Sequence, residues 1–212
     1  MFTRRSSLPA ALQTGLLTIL LAAIAIIGLV NRQAFAADKH SGVKVSLPLV
    51  IYADGQGQSG YIPSGWMGNP SAIKYDGSCT THPRKGNSDC LKIQYTSGSG
   101  WGGIAWQNPA NNWGDQSGGF NLTGAKKLTF WVRGKKAGQV VSFGFGLIGS
   151  NKTYHDTAKG KVKVTLTKHW KKYSISLKGK DMKRIVVGFF WTAAPTDGKA
   201  FTFYLDKIEY KN

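Results

Sequence analysis

Acidic side chains are scarce in this 212-residue chain: 28 Lys and Arg stand against 10 Asp and Glu, and Glu209 is the one glutamate. A retaining or inverting glycosidase needs two carboxylates flanking the scissile bond. The Asp residues are scattered, and no paired arrangement stands out. Serine-nucleophile, phosphate-loop and zinc-hydrolase signatures are missing as well. The chain therefore reads as a non-enzyme. One reaction class survives this exclusion in outline, because a polysaccharide lyase can work with His, Tyr, Arg and Lys. Tyr154, His155 and Arg133 are the residues it would have to use, and no lyase motif surrounds them.

Long apolar runs are confined to the start. Arg4 and Arg5 precede an apolar stretch from Gly15 to Val30, and Ala34-Phe35-Ala36 follows as a small-x-small site. This order is that of a secretory signal peptide. The expected cleavage is after Ala36, with the next bond as the alternative, so residues 1–36 are a leader and 37–212 one domain. Gly15 to Val30 falls short of the roughly 20 residues that span a bilayer, which disfavours an uncleaved anchor. The leader has no cysteine, which disfavours a lipoprotein. The expected location is extracellular or on the cell surface, with no membrane span left after cleavage.

Cysteine is limited to Cys79 and Cys90. An even count close together in an oxidising compartment reads as a disulfide, here closing the polar loop that holds His82-Pro83-Arg84-Lys85-Gly86. A zinc site would need more ligands than this pair plus His82.

What is abundant is positive charge, +18 for the whole chain, with only Arg4, Arg5 and Arg32 in the leader. Such an excess favours polyanionic partners such as acidic polysaccharide or cell-envelope polymers. The alternative is a lysine-coated surface that maintains solubility. The basic residues are scattered in pairs such as Lys126-Lys127, Lys135-Lys136 and Lys171-Lys172. No nucleic-acid-binding signature accompanies them, so nucleic acid is not an expected partner. Oligomerisation is left open.

Beyond the leader no helical stripe occurs. Short runs alternate apolar and polar residues: Leu91/Ile93/Tyr95, Leu128/Phe130/Val132, Val141/Phe143/Phe145/Leu147, Val162/Val164/Leu166, Tyr173/Ile175/Leu177 and Ile185/Val187/Phe189. Gly, Ser, Asn and Asp fill the connections. The pattern predicts an all-β fold, a two-sheet antiparallel β-sandwich. Strand phase then places Ser142, Gly144, Gly146 and Gly188 on faces turned away from the core. Glycine weakens a strand but lets something approach the backbone closely. The expectation is a shallow groove floored by Gly144, Gly146 and Gly188 with Trp131 and Arg133 nearby; bulges or a covering loop are the alternatives. In the last strand Phe201, Phe203 and Leu205 keep one phase, but Ile208 and Tyr210 keep the other. A one-residue bulge near Asp206 reconciles them, as would a strand switching sheets.

Five segments occur in a telling order: Tyr52-Ala53-Asp54-Gly55, Gly100-Trp101-Gly102-Gly103-Ile104, Leu128-Thr129-Phe130-Trp131-Val132-Arg133-Gly134, His169-Trp170-Lys171-Lys172-Tyr173-Ser174-Ile175 and Phe203-Tyr204-Leu205-Asp206-Lys207-Ile208. Together they resemble non-catalytic carbohydrate-binding modules with a galactose-binding-like jelly roll. The resemblance implies adjacent chain ends and a structural calcium ion, and it leaves the glycan open. Asp54 and Asp206 are the residues that would take calcium, with backbone carbonyls completing its oxygen shell. Lys207 stands where relatives tend to have a second acid.

Sugar recognition combines aromatic faces with amides and carboxylates that fix orientation. Trp113 and Trp191 are the preferred candidates. Trp101, Trp106, Gln107 and Tyr154 join them, with Trp131 and Arg133 from the groove. Asn111, Asn112 and Asp115 lie in the same stretch as Trp113. Trp66 and Trp170 are expected in packing roles. The function read from the sequence is thus glycan binding by a secreted module. An envelope or matrix assembly protein on the same sandwich is the alternative.

Overall fold

The computed structural model describes residues 41–212 apart from Gln56 and Gln58. The leader expected over residues 1–36 and the boundary after it lie outside the described residues. Among the described residues no helix is long and apolar enough to cross a membrane.

Among the described residues thirteen strands follow one another: β1 Val43–Lys44, β2 Leu49–Tyr52, β3 Ile62–Gly68, β4 Ile73–Cys79, β5 Cys90–Tyr95, β6 Gly102–Gln107, β7 Phe120–Asn121, β8 Lys127–Gly134, β9 Val140–Phe145, β10 Gly160–Thr165, β11 Lys171–Ser176, β12 Val187–Ala193 and β13 Phe201–Lys211. They build a five-stranded sheet, β10-β9-β12-β6-β3, and a six-stranded sheet, β11-β8-β13-β5-β4, in which β2 also pairs with β13. Pairing within both sheets is antiparallel. A short parallel pair, β1 with β7, stands apart. The expected antiparallel β-sandwich is therefore the observed fold.

Alternation explains which side chains meet between the sheets, since successive residues of a strand face opposite ways. Leu91, Ile93 and Tyr95 from β5, Leu128, Phe130 and Val132 from β8, and Val141, Phe143 and Phe145 from β9 are all buried in one cluster. Rings interlock across the layers: Phe130 lies 4.9 Å from Phe143, and Trp191 5.2 Å from Phe203, edge to face. Leu147 leaves the pattern and is exposed, because β9 ends at Phe145 and Gly146 turns the chain with a φ of +70°.

Two irregularities set the faces. In β13 the register against β8 shifts between Asp206 and Glu209, and Lys207 has a φ of +45°. The bulge lets Phe203, Leu205, Ile208 and Tyr210 all reach the core, while turning Asp206 to the outside of the six-stranded sheet. In β12 the register shifts between Val187 and Phe189. Gly188 is that bulge. Val187 accordingly joins a cluster outside the core and Phe189 the core itself.

Candidate ligand-binding face

The outer side of the five-stranded sheet carries one continuous cross-strand row. Lys163 of β10 pairs with Ser142 of β9, Ser142 with Thr192 of β12, Thr192 with Gly103 of β6, and Gly103 with Met67 of β3. A depression of about 480 Å³ lies here, lined by Trp101, Val140, Ser142, Lys163 and Thr192. Gly103, within the row, is buried, and its lack of a side chain lets Thr192 and Met67 close over it. A Cβ at that position would stand 2.6 Å from the Trp191 carbonyl oxygen, 2.9 Å from Thr192 Cγ2 and 3.0 Å from Met67 Cε. Trp101 flanks the start of β6 and is 47 % exposed. Gly68, at a φ of +71°, makes room for it, since a Cβ there would meet the indole at 2.8 Å.

The other end of this face is walled. Phe190, Ala105, Val186, Val187 and Ile148 form a second apolar cluster on the outside of the sheet, with Met67 packed against it. The loop after β9 is pinned over it by Asp156, whose carboxylate accepts from the amides of Ile148 (2.8 Å), Val186 (2.6 Å) and Val187 (3.1 Å). Burial nevertheless pushes the Asp156 carboxyl above its ordinary range. The loop after β6 is fixed in the same manner by Gln107, which donates to the Asn112 carbonyl at 2.8 Å and accepts from Ser64 Oγ at 3.0 Å. Trp113 stands on that loop, 37 % exposed. Trp101 and Trp113 thus flank opposite ends of six-residue β6, a strand length of roughly 20 Å.

Several expectations need correction. Trp191 and Trp106 are core residues: Trp191 pairs with Ile104 and Phe143 in the inward phase, and both indoles are buried in the main cluster. Gln107 is sealed and serves its loop. The expected glycine groove is filled: the Phe190 ring occupies the space above Gly144, and the Tyr61 ring that above Gly188. A Cβ at Gly146 would meet the Ala158 carbonyl. Gly103, in the outward phase beside Ile104 and Trp106, is likewise covered, by Thr192 and Met67. Trp66 is not buried; it is 40 % exposed, at the β3 edge against Tyr75.

Trp131 and Arg133 belong to the opposite surface, the outer face of the six-stranded sheet. There the β4–β5 loop folds over the sheet, Arg84 lying 5.1 Å from the Trp131 ring and Arg133 5.8 Å from the Tyr204 ring. The set Tyr154, His155 and Arg133 is accordingly not assembled. The Tyr154 ring faces Arg184 at 5.8 Å, and His155 Nδ1 is 3.0 Å from the Lys152 carbonyl.

The disulfide expected between Cys79 and Cys90 is not formed: the two stand opposite one another across β4 and β5 as buried thiols. Cys90 Sγ donates to the Cys79 carbonyl at 2.9 Å, and Cys79 Sγ is 3.0 Å from Thr81 Oγ1. Burial, then the neighbouring Cys79, pushes the Cys90 thiol up to about 12.

The residues expected to hold calcium do not fit it as arranged. Asp206 is fully buried, its Oδ2 accepting from Arg84 Nε and Asn87 Nδ2 at 2.8 Å each and its Oδ1 from the Lys207 amide at 2.7 Å. A guanidinium thus occupies the position of a counter-cation. Asp54 is exposed and accepts from the Ser88 amide and hydroxyl, which hold its carboxyl below the usual range. Among the described residues no group of three or more His, Cys, Asp or Glu has metal-holding geometry.

No family model and no curated protein matches the chain. Among solved structures it is similar to the family 30 carbohydrate-binding module of a cellulosomal cellulase of Clostridium thermocellum, at 17 % identity and a TM-score of 0.53, over 79 % of this chain and 98 % of that one. A second family 30 carbohydrate-binding module matches at 18 % identity and a TM-score of 0.53, over 78 % and 87 % of the two chains. At such identity the likeness establishes the fold: the chain has the jelly-roll β-sandwich of carbohydrate-binding modules.

Proposed function

We propose that this protein is a secreted, non-catalytic glycan-binding module whose site is the outer face of the five-stranded sheet. The observation that carries the reading is the depression along the row Lys163–Ser142–Thr192, flanked by the exposed indole of Trp101. Hydroxyl and ammonium groups supply hydrogen bonds to sugar hydroxyls. The indole supplies an apolar face for the sugar ring. No carboxylate stands in the row, so it offers no acid–base pair for glycosidic cleavage. The likeness in fold to modules named for carbohydrate binding supports the same reading.

A glycan array followed by affinity measurement tests it. Trp101→Ala removes only an exposed side chain and is expected to weaken binding of a selected oligosaccharide at least about tenfold, as loss of a well-placed aromatic does. Thr192→Val, nearly the same in shape, is expected to weaken it less. Full binding by Trp101→Ala would reject this face as the site.

A further inference from the structure

The outer face of the six-stranded sheet holds a different constellation. Lys92 of β5 pairs with Tyr204 of β13, and Tyr204 with Arg133 of β8. Trp170 extends the row: Lys171 pairs with Val132, so the residue before it falls beside Arg133. Trp170 packs against the cluster of Tyr204, Cys79 and Cys90. His82, brought over by the β4–β5 loop, meets the Tyr204 ring edge-on at 4.7 Å. Burial and the charges of Arg133, Lys135 and Lys92 all disfavour the protonated imidazole. Three cations therefore converge on one histidine.

Among the described residues, this cluster lacks acceptors for two buried donors and counter-charges for its cations. Arg133 Nε and Trp170 Nε1 are buried donors with no acceptor among the described residues, a state that native proteins rarely leave uncompensated. None of Arg133, Lys92 and Lys135 lies in an ion pair among the described residues. Asp76, which pairs with Lys92 in the sheet, makes no such contact, and Asp206 is taken by Arg84. One row along the same face, Gln94 and Thr202 border a hollow of about 580 Å³ that Lys135, Lys136 and Asp197 also line. The positively charged ground thus extends from the Arg133 row into a concavity.

We propose that this face is a second binding site, for the sulfate or carboxylate groups of an acidic polysaccharide. Arg133, Lys92 and Lys135 supply the charge, the half-buried Trp170 an apolar contact, and the hollow beside Thr202 takes the next unit of the chain. A polyanion presents several acceptors to several spaced donors, and charge-assisted bonds to a guanidinium are the strong ones. The site stands independently of the sugar face on the other sheet. A protein with both would join a neutral glycan to an acidic one.

The test uses the full mature chain with dextran sulfate and with polygalacturonate, at about 0.15 M salt, where unspecific surface attraction is largely screened. Binding to the first identifies sulfate as the ligand group and binding to the second carboxylate; either supports the site. Two variants are compared with the parent: Arg133→Gln, and the exposed loop pair Lys135→Gln with Lys136→Gln, which leaves the sheet untouched. Each is expected to weaken binding about tenfold, the loss of a charge-assisted bond. The charge-matched pair Lys178→Gln with Lys183→Gln, exposed beyond the far end of β11 from Trp170, is expected to stay within about twofold. Equal losses in all three would show diffuse charge and overturn the site. Unchanged binding by the loop pair would overturn it as well. So would preference for duplex DNA or for phosphatidylserine vesicles over both polysaccharides. Trp101→Ala is expected to keep polyanion binding, so failure of one face leaves the other standing.

Discussion

Arg84 Nε lies 2.8 Å from Asp206 Oδ2, and the carboxylate of Asp206 is completely sequestered. The pair joins the tip of the β4–β5 loop to the bulge of β13, over the ring of Trp131. Removing one partner of a buried ion pair strands the other charge, which typically costs 3–5 kcal/mol. Asp206 keeps Asn87 and the Lys207 amide, so Arg84→Gln is expected at the lower end, about 3 kcal/mol. For a domain of this size that is roughly a 6–12 °C drop in Tm, measurable by calorimetry.

The same geometry predicts indifference to calcium. With Arg84 in place, millimolar calcium and a chelator are expected to give the same Tm. Asp89 marks where charge is poorly balanced instead. Its Oδ1 is buried without a partner, and burial, then Asp54 and Asp206, push its carboxyl above 3.8. A raised carboxyl pKa means the folded state is favoured below the unfolded value and loses that contribution as pH rises through the folded one. Asp89→Asn is therefore expected to raise Tm at neutral pH, with an advantage that fades as pH falls below 3.8.

Cys79 and Cys90 are register partners, and opposed antiparallel residues have Cα atoms about 4.5–5.5 Å apart, within the range a disulfide bridges. A thiol pushed up to about 12 offers little thiolate at neutral pH. Intact-mass measurement of the reduced protein is thus expected to show slow closure in air, faster at higher pH, and completion with an added disulfide oxidant.

His82 gives the polyanion face a pH signature. Its imidazole is held below 6.5 by burial and by Arg133, Lys135 and Lys92. A depressed histidine pKa makes the fold less stable as pH falls below 6.5, where the unfolded chain takes up the proton first. An acidic polysaccharide would neutralise those cations and favour protonation, so its binding is expected to tighten between neutral pH and about pH 5. Isothermal titration at the two pH values checks this, and His82→Gln is expected to flatten the dependence.

The sandwich was legible because alternation is a local property: Leu91, Ile93 and Tyr95 announce their buried face without reference to a partner strand. The bulge at Asp206 was legible for the same reason, as a break in phase. Gly188 was misread because its bulge sits between two apolar residues that seem in phase, and only pairing with β6 separates Val187 from Phe189. Site residues depend on which strands become neighbours, and alternation is silent on that. It set Trp131 beside Gly144, although β8 and β9 join different sheets. It could not say that Gly103, Thr192 and Ser142 form one row, nor that Trp191 turns inward. Trp101 was found because glycines flank it on a loop.

The central claim is that glycan lies along the outer face of the five-stranded sheet. Amide and indole chemical-shift mapping, during titration with an oligosaccharide selected on an array, tests it most directly. The expected result is a continuous set of shifts at Met67, Gly103, Ser142, Thr192 and Lys163, with the Trp101 indole among the largest. Shifts confined to the face of Tyr204 and Trp131, with the Gly103 row unmoved, would contradict it.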